Sequence, residues 1–261
     1  MNYIEIKKIY DKYKPYDTSF EENMLIQFNC ESNGIEGNSL TFQETKILLE
    51  TGIVTGNKPI KDYIEALNHK EAIDKMLYYV ENRAKLSENI ICEFNKTLLK
   101  STKQELSSGR YRSIVVTIGD KDITAPPYLI AKEMEELFYW HENAKDMDFV
   151  EKLSKFHGRF EKIHPFIDGN GRTGRLILNL ELMKEGYPPL ILKQADRKEY
   201  YDVLETAQAQ EENFKQLIGF IEKNLINSML HVLNPHLKNN KTTIEQELEK
   251  NKRNKSNGRL K

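Results

Sequence analysis

The sequence predicts a mainly α chain carrying one small β-hairpin. Apolar residues recur at helical spacing in almost every segment between Phe20 and Leu230. Capping signals and glycine or proline stops separate those segments. A single run, Ser113-Ile114-Val115-Val116-Thr117-Ile118, is β-branched instead. At 261 residues with 39% hydrophobic content, the chain can bury a sizeable core in one large domain or two small ones.

The first helical stripe is Phe20, Met24, Leu25, Phe28 and Ile35, closed by Gly37. On a regular helix Phe28, Ser32 and Glu36 fall on one side, so a hydroxyl and a carboxylate project together near its C-terminus, where the dipole disfavours a negative charge. Thr41-Phe42-Gln43-Glu44 reads as a capping box opening a short helix that stops at Gly52. A longer helix starts at Asp62 with Tyr63, Ala66, Leu67, Ile73, Leu77 and Val80 as its stripe, and His69 reads as structural. Ser87 opens the next, with Ile91, Phe94 and Leu98 inward.

The β-branched run meets the turn Gly119-Asp120-Lys121 and returns through Asp122-Ile123-Thr124, giving a hairpin over 113–125. Pro127 to Asn143 is helical again. Leu153, Phe156, His157, Phe160 and Ile163 then deliver the chain to His164, with His157 read as a buried histidine holding one hydrogen bond. A helix from Arg172 to Glu185 carries Leu176, Ile177, Leu180 and Met183. Asp196-Arg197-Lys198-Glu199 starts another, bearing Tyr200, Tyr201, Leu204 and Ala207. Phe214 to Leu230 is the last long helix, so the expectation is about nine helices in one domain over 1–235. Residues 236–261 read as a polar, basic tail without order of its own.

Composition excludes some classes of partner. A net charge of −1 and a pI near 6.6 give no global attraction to nucleic acid or an anionic membrane. No run reaches the ~20 apolar residues of a membrane span, and Met1 to Lys14 has no apolar core of a signal peptide. The two cysteines, Cys30 and Cys92, form no disulfide framework, which suits a reducing cytoplasm.

Chemistry is concentrated in His164-Pro165-Phe166-Ile167-Asp168-Gly169-Asn170-Gly171-Arg172-Thr173-Gly174-Arg175. Gly169, Gly171 and Gly174 give no side chains to a core, so they point to close backbone approach. The glycine-rich loop runs into a helix N-terminus, whose unpaired N–H groups and positive dipole end favour phosphate. Arg172 and Arg175 share one side of that first turn, where two cations require an anion of several charges. Asp168 can hold Mg²⁺ among phosphates, and His164 is the candidate acceptor of a hydroxyl proton. Singly these residues read as a cap, a turn and a solvated face; jointly they describe hydroxyl attack on a metal-bound nucleotide.

This run resembles the Fic-domain signature, His-x-Phe-x-(Asp/Glu)-Gly-Asn-Gly-Arg-x-x-Arg, at every fixed position. The resemblance implies a Fic-type helical bundle that transfers AMP from ATP to a Ser, Thr or Tyr hydroxyl of a target protein or of itself, releasing pyrophosphate. It makes His164 the base and Asp168 the Mg²⁺ ligand. Gly169 to Gly171 become the anion hole, with Asn170 at the α-phosphate, Arg172 near the β-phosphate and Arg175 at the γ-phosphate. Tyr200 and Tyr201 would line the adenine pocket, and the hairpin would be a flap holding the target by strand addition. Ser32-Asn33-Gly34-Ile35-Glu36-Gly37 is similar to the family's inhibitory motif, (Ser/Thr)-x-x-x-Glu-(Gly/Asn). In that light residues 20–37 form an inhibitory helix, on which Glu36 takes Arg175 from the γ-phosphate. The same glutamate implies a second activity, removal of AMP. An alternative is a nucleotide-sensing regulatory module with little transfer. The oligomeric state stays open, a homodimer included.

Overall fold

Helix α8 (Asn170–Lys184) is buried at every residue from Arg172 to Met183, and the other elements are laid around it. A helix apolar on all sides would explain such burial, but this one also buries Arg172, Arg175, Asn179 and Glu181. Each polar group must therefore find a partner inside. Asn179 does so by donating to the carbonyls of Arg175 (3.0 Å) and Leu190 (3.2 Å) and accepting from the Leu190 N–H (2.6 Å). Glu181 pairs with Lys184 at 2.5 Å.

The computed structural model describes residues 2–13, 18–117, 124–209, 213–239 and 242–257. Eleven α-helices lie among them. In order they are α1 (Tyr3–Tyr13), α2 (Thr18–Ile35), α3 (Phe42–Thr51), α4 (Ile60–Glu81), α5 (Glu88–Leu98), α6 (Ile130–Asn143), α7 (Phe149–Ile163), α8, α9 (Arg197–Ala209), α10 (Lys215–Asn239) and α11 (Ile244–Asn257). Helices α4, α5, α7 and α2 contact α8, while α10 packs on α1, α7 and α9. The predicted capping box of α3 is present, with Thr41 accepting from the Glu44 N–H and Glu44 from the Thr41 N–H; Gly52 ends that helix at φ 72°. Among the described residues no helix is long and apolar enough to cross a membrane.

Three expectations are corrected. The N-terminal stretch, read only as lacking the apolar core of a signal peptide, forms α1, which buries Tyr3, Ile6, Ile9 and Tyr10 and packs on α10. The stretch beyond Pro235, expected to be an unstructured tail, continues α10 to Asn239 with Pro235 inside the helix, and then forms α11. Helix α11 contacts α1, with Glu247 pairing to Lys12 at 2.7 Å and, within its own helix, to Lys250 at 2.8 Å; Ile244 at its start is buried. The predicted flap hairpin over 113–125 falls partly outside the described residues, at 118–123. Its described arms form no strand, and the Thr124 hydroxyl joins them by donating to the Val116 carbonyl at 2.6 Å.

Candidate active site

Helix α7 stops at His164, whose left-handed backbone (φ 51°) turns the chain out of the helix. Such a conformation is costly for a residue with a Cβ, and the surroundings enforce it. Arg112 does much of this. Its Nε donates to the His164 carbonyl (2.8 Å), its Nη2 to the Ala125 (2.6 Å) and Ile163 (3.3 Å) carbonyls, and its Nη1 to the Ile114 carbonyl (2.8 Å). The Arg112 N–H donates to the Pro165 carbonyl at 2.9 Å. The next anchor, Phe166, is fully buried against Tyr111, with ring centroids 5.9 Å apart.

The loop is then closed by amides. Asn170 Nδ2 donates to the Phe166 carbonyl and its Oδ1 accepts from the Phe166 N–H, both at 2.9 Å. Asn95 on α5 donates to the Asp168 carbonyl (2.8 Å) and accepts from the Gly109 N–H (3.0 Å). Gly169 caps α8 at φ 77°, a conformation glycine takes without penalty. The first backbone bond of α8 runs from the Thr173 N–H to the Gly169 carbonyl, so the N–H groups of Asn170, Gly171 and Arg172 precede it. Those groups and the dipole make the start of α8 suited to an anion.

Around this nest stand several titratable side chains. His164 Nδ1 lies 3.2 Å from the Glu161 carbonyl, so a proton held there leaves Nε2 as the free base. Burial, with Arg112 nearby, lowers the His164 pKa below its ordinary value and keeps the ring neutral at pH 7. Asp168 is half exposed, and its Oδ1 accepts from the Gly169 N–H at 2.6 Å. Arg172 sits with Nη1 3.7 Å from Glu65 Oε1 and Nη2 3.7 Å from Asp168 Oδ1.

Arg175 is gripped from α2. Its Nε donates to Ser32 Oγ (2.9 Å), and its Nη2 donates to the Ser32 carbonyl (2.9 Å) and to Glu36 Oε1 (2.7 Å). Burial pushes the Glu36 carboxyl up, but Arg175, Arg172 and Arg197 together hold it below the usual carboxylate range. Helix α2 ends one residue before Glu36, and Arg197 Nε donates to the Ile35 carbonyl at 2.6 Å, capping that end with a cation. Asn29 fixes the helix to α4 by donating to the Ala66 carbonyl at 2.9 Å.

The predicted residues are thus mostly brought together: His164, Asp168, Gly169, Asn170, Gly171, Arg172 and Arg175 share one loop, and Ser32 and Glu36 reach it from a distant segment. Three expectations change. The Asn170 side chain is spent on Phe166, so only its backbone faces the nest. Gly174 faces α7 rather than the nest, since a Cβ there would stand 2.3 Å from Glu161 Oε1 and 3.0 Å from His157 Cε1. Tyr200 is buried, bonded through its hydroxyl to His157 Nε2 (2.7 Å) and packed against Phe220 and Tyr201. Its ring offers no open face to a base, whereas Tyr201 is only partly buried and lies under the Arg197 guanidinium at 4.9 Å. His157 is the buried structural histidine the sequence predicts. Burial pushes it down to about 3 and its neighbour Glu161 up to about 8, so both are mainly neutral at pH 7.

Sequence reasoning missed Arg112, Asn95, Glu65 and Arg197. Nothing in the spacing of Asn95 or Glu65 marks them, and the bonds of Arg112 and Arg197 run to backbone carbonyls distant in sequence.

Among the described residues no cluster of three or more His, Cys, Asp or Glu could hold a metal ion by itself. Asp168 supplies a single accessible carboxylate beside the nest, which fits Mg²⁺ as it binds among phosphates, through one or two carboxylates.

Comparison with known proteins agrees with this geometry. Residues 85–182 match the Fic/DOC family. A protein adenylyltransferase Fic of Nematostella vectensis is 34% identical over 199 residues, covering 74% of this chain and 45% of that protein. One of Drosophila grimshawi is 31% identical over 203 residues, covering 77% and 41%. The chain therefore spans less than half the length of these relatives. The structure of a Fic domain containing signaling protein from Bacteroides thetaiotaomicron superposes with a TM-score of 0.78 at 27% identity, covering 89% of this chain and 96% of that one. With the full signature on a helical fold of this kind, the chain belongs to the Fic/DOC family.

Proposed function

We propose that this chain is a self-inhibited protein adenylyltransferase, using ATP to place AMP on a Ser, Thr or Tyr hydroxyl of a target protein or of itself. The observation that carries the reading is the Glu36–Arg175 contact at 2.7 Å, because a buried arginine beside a helix N-terminus needs an anion and here a carboxylate stands in for one. The names of the relatives as protein adenylyltransferases support the reaction class.

In the proposed reaction His164 Nε2 takes the proton of the target hydroxyl. The oxygen forms a bond to the α-phosphorus as the bond to the bridging oxygen breaks, and pyrophosphate leaves. The N–H groups at the start of α8 face the developing charge, preorganised at no cost during the reaction. Arg172 meets the β-phosphate and Arg175, once Glu36 withdraws, the γ-phosphate. Mg²⁺, held by Asp168, would neutralise phosphate charge and assist the leaving group. Tyr201 is the proposed contact for adenine. The target presents its hydroxyl along 113–125, and the protein acts in the cytoplasm. With Glu36 in place the same site is proposed to remove AMP, the carboxylate orienting water toward the AMP–protein bond.

The test compares wild type, Glu36→Gly and His164→Ala with ATP labelled at the α- or the γ-phosphate. Only α-label is expected on protein, more in Glu36→Gly and none in His164→Ala. Transfer of γ-label would make the protein a kinase, and an inert Glu36→Gly variant would reduce it to a nucleotide sensor.

A further inference from the structure

Arg172 and Arg175 are held in different ways. Arg175 makes hydrogen bonds to Ser32 and Glu36 at 2.7–2.9 Å and lacks a partner only at Nη1. Arg172 is also buried, at 4% exposure, yet its Nε has no hydrogen-bond partner. Its two terminal nitrogens lie 3.7 Å from Glu65 and 3.7 Å from Asp168, beyond hydrogen-bond range. The guanidinium is thus flanked by two carboxylates at ion-pair distance without being hydrogen-bonded to either.

Glu65 does not belong to the loop. It projects from α4, and its second oxygen accepts a hydrogen bond from Asn38 Nδ2 at 3.0 Å. Asn38 is buried, stands two residues after Glu36, and also donates to the Asp62 carbonyl at 2.9 Å. One short turn therefore sends Glu36 to Arg175 and, through Asn38, aims Glu65 at Arg172.

We infer that Glu65 is a second acidic restraint on the phosphate-binding arginines, holding Arg172 in competition with a polyphosphate and tied by Asn38 to the segment that bears Glu36. The inference rests on the reading of the loop as a nucleoside triphosphate site. Its physical basis is that a carboxylate near a mostly buried guanidinium acts through a lower effective dielectric than a surface pair. An incoming β-phosphate meets an arginine already partly neutralised and a like charge beside it. Withdrawal of Glu36 alone frees Arg175 and leaves Arg172 restrained. Glu65 acts through Arg172 and is a positioning residue, not a catalytic one.

Calorimetry with Mg²⁺ on Glu36→Gly, Glu36→Gly/Glu65→Gln and Glu36→Gly/Glu65→Asp tests this, using ATP, ADP and AMP as probes. Gln is isosteric at a side chain 20% exposed and still accepts from Asn38, so the fold is kept. Glu65→Gln is expected to tighten ATP and ADP by about five- to tenfold, a typical coupling between sites, and to leave AMP unmoved, because AMP stops short of Arg172. Glu65→Asp keeps the charge and is expected to follow the parent. Equal tightening of AMP, no tightening of ATP, or an Asp variant that behaves like Gln would each overturn the inference. A Glu36→Gly parent that binds no triphosphate would instead sink the nucleotide reading, and this inference with it.

Discussion

Glu36 Oε1 fills the space that a side chain on Gly171 would need: a Cβ there would stand 2.5 Å from that oxygen and 3.0 Å from Arg175 Nη1. Gly171→Ala is accordingly expected to destabilise the wild type by about 1–3 kcal/mol, the usual cost of overpacking. Part of that cost should vanish in the Glu36→Gly background. Denaturant unfolding of the four proteins gives the coupling directly, and strictly additive effects would show that residue 171 and Glu36 do not compete for space.

Ser32 should be a partial lock. Its hydroxyl accepts from buried Arg175 Nε at 2.9 Å, and losing it leaves a charged donor unpaired, at about 1–3 kcal/mol. Ser32→Ala is expected to give basal α-label incorporation between wild type and Glu36→Gly. Incorporation no higher than wild type would mean that Glu36 alone keeps Arg175 occupied.

The pH profile follows from His164. Burial lowers its pKa from the ordinary 6.5, and the ring accepts a proton only when neutral, so activity is lost as pH falls through the lowered value. In Glu36→Gly, the acid limb of kcat/KM is expected below pH 6.5. A limb at or above 6.5 would argue against His164 as the base.

Glu161 makes a stability prediction of opposite sense. Its carboxyl is pushed by burial from 4.5 up to about 8, so between those values the folded state binds more protons than the unfolded state and stability declines as pH rises. Glu161→Gln removes this decline. The variant should gain on the wild type from pH 5 to pH 8 in thermal melts, and a constant difference in Tm would refute the assignment.

Arg112 forks to the carbonyls of His164, Ile114 and Ala125, a geometry that lysine cannot copy with one ammonium. Arg112→Lys is expected to cost about 1–3 kcal/mol for each carbonyl left dry and to lower α-label transfer in Glu36→Gly while ATP affinity changes little. Loss of ATP binding in step with transfer would place its effect on the nest instead.

What could be read from the sequence was what local chemistry fixes. The loop from His164 to Arg175 is legible because each residue states its own role within a dozen positions, and the capping box at Thr41 because it closes on itself. Helices α1 and α11 were not legible, since their contacts join segments far apart in sequence: Glu247 pairs with Lys12 across 235 residues, and α1 packs on α10. Tyr200 misled for a similar reason, as its hydroxyl partner His157 lies on another helix. Arg112, Asn95 and Glu65 act on backbone carbonyls, backbone amides or a distant guanidinium, none of which a motif records.

One guanidinium, that of Arg112, is anchored both at Ile114 and Ala125, on either side of 118–123, and at the bend that carries the imidazole. Under the proposed function, a target held along that rim would pull on the same side chain that fixes the His164 carbonyl, so the grip on it and the set of the ring would share a single mechanical link.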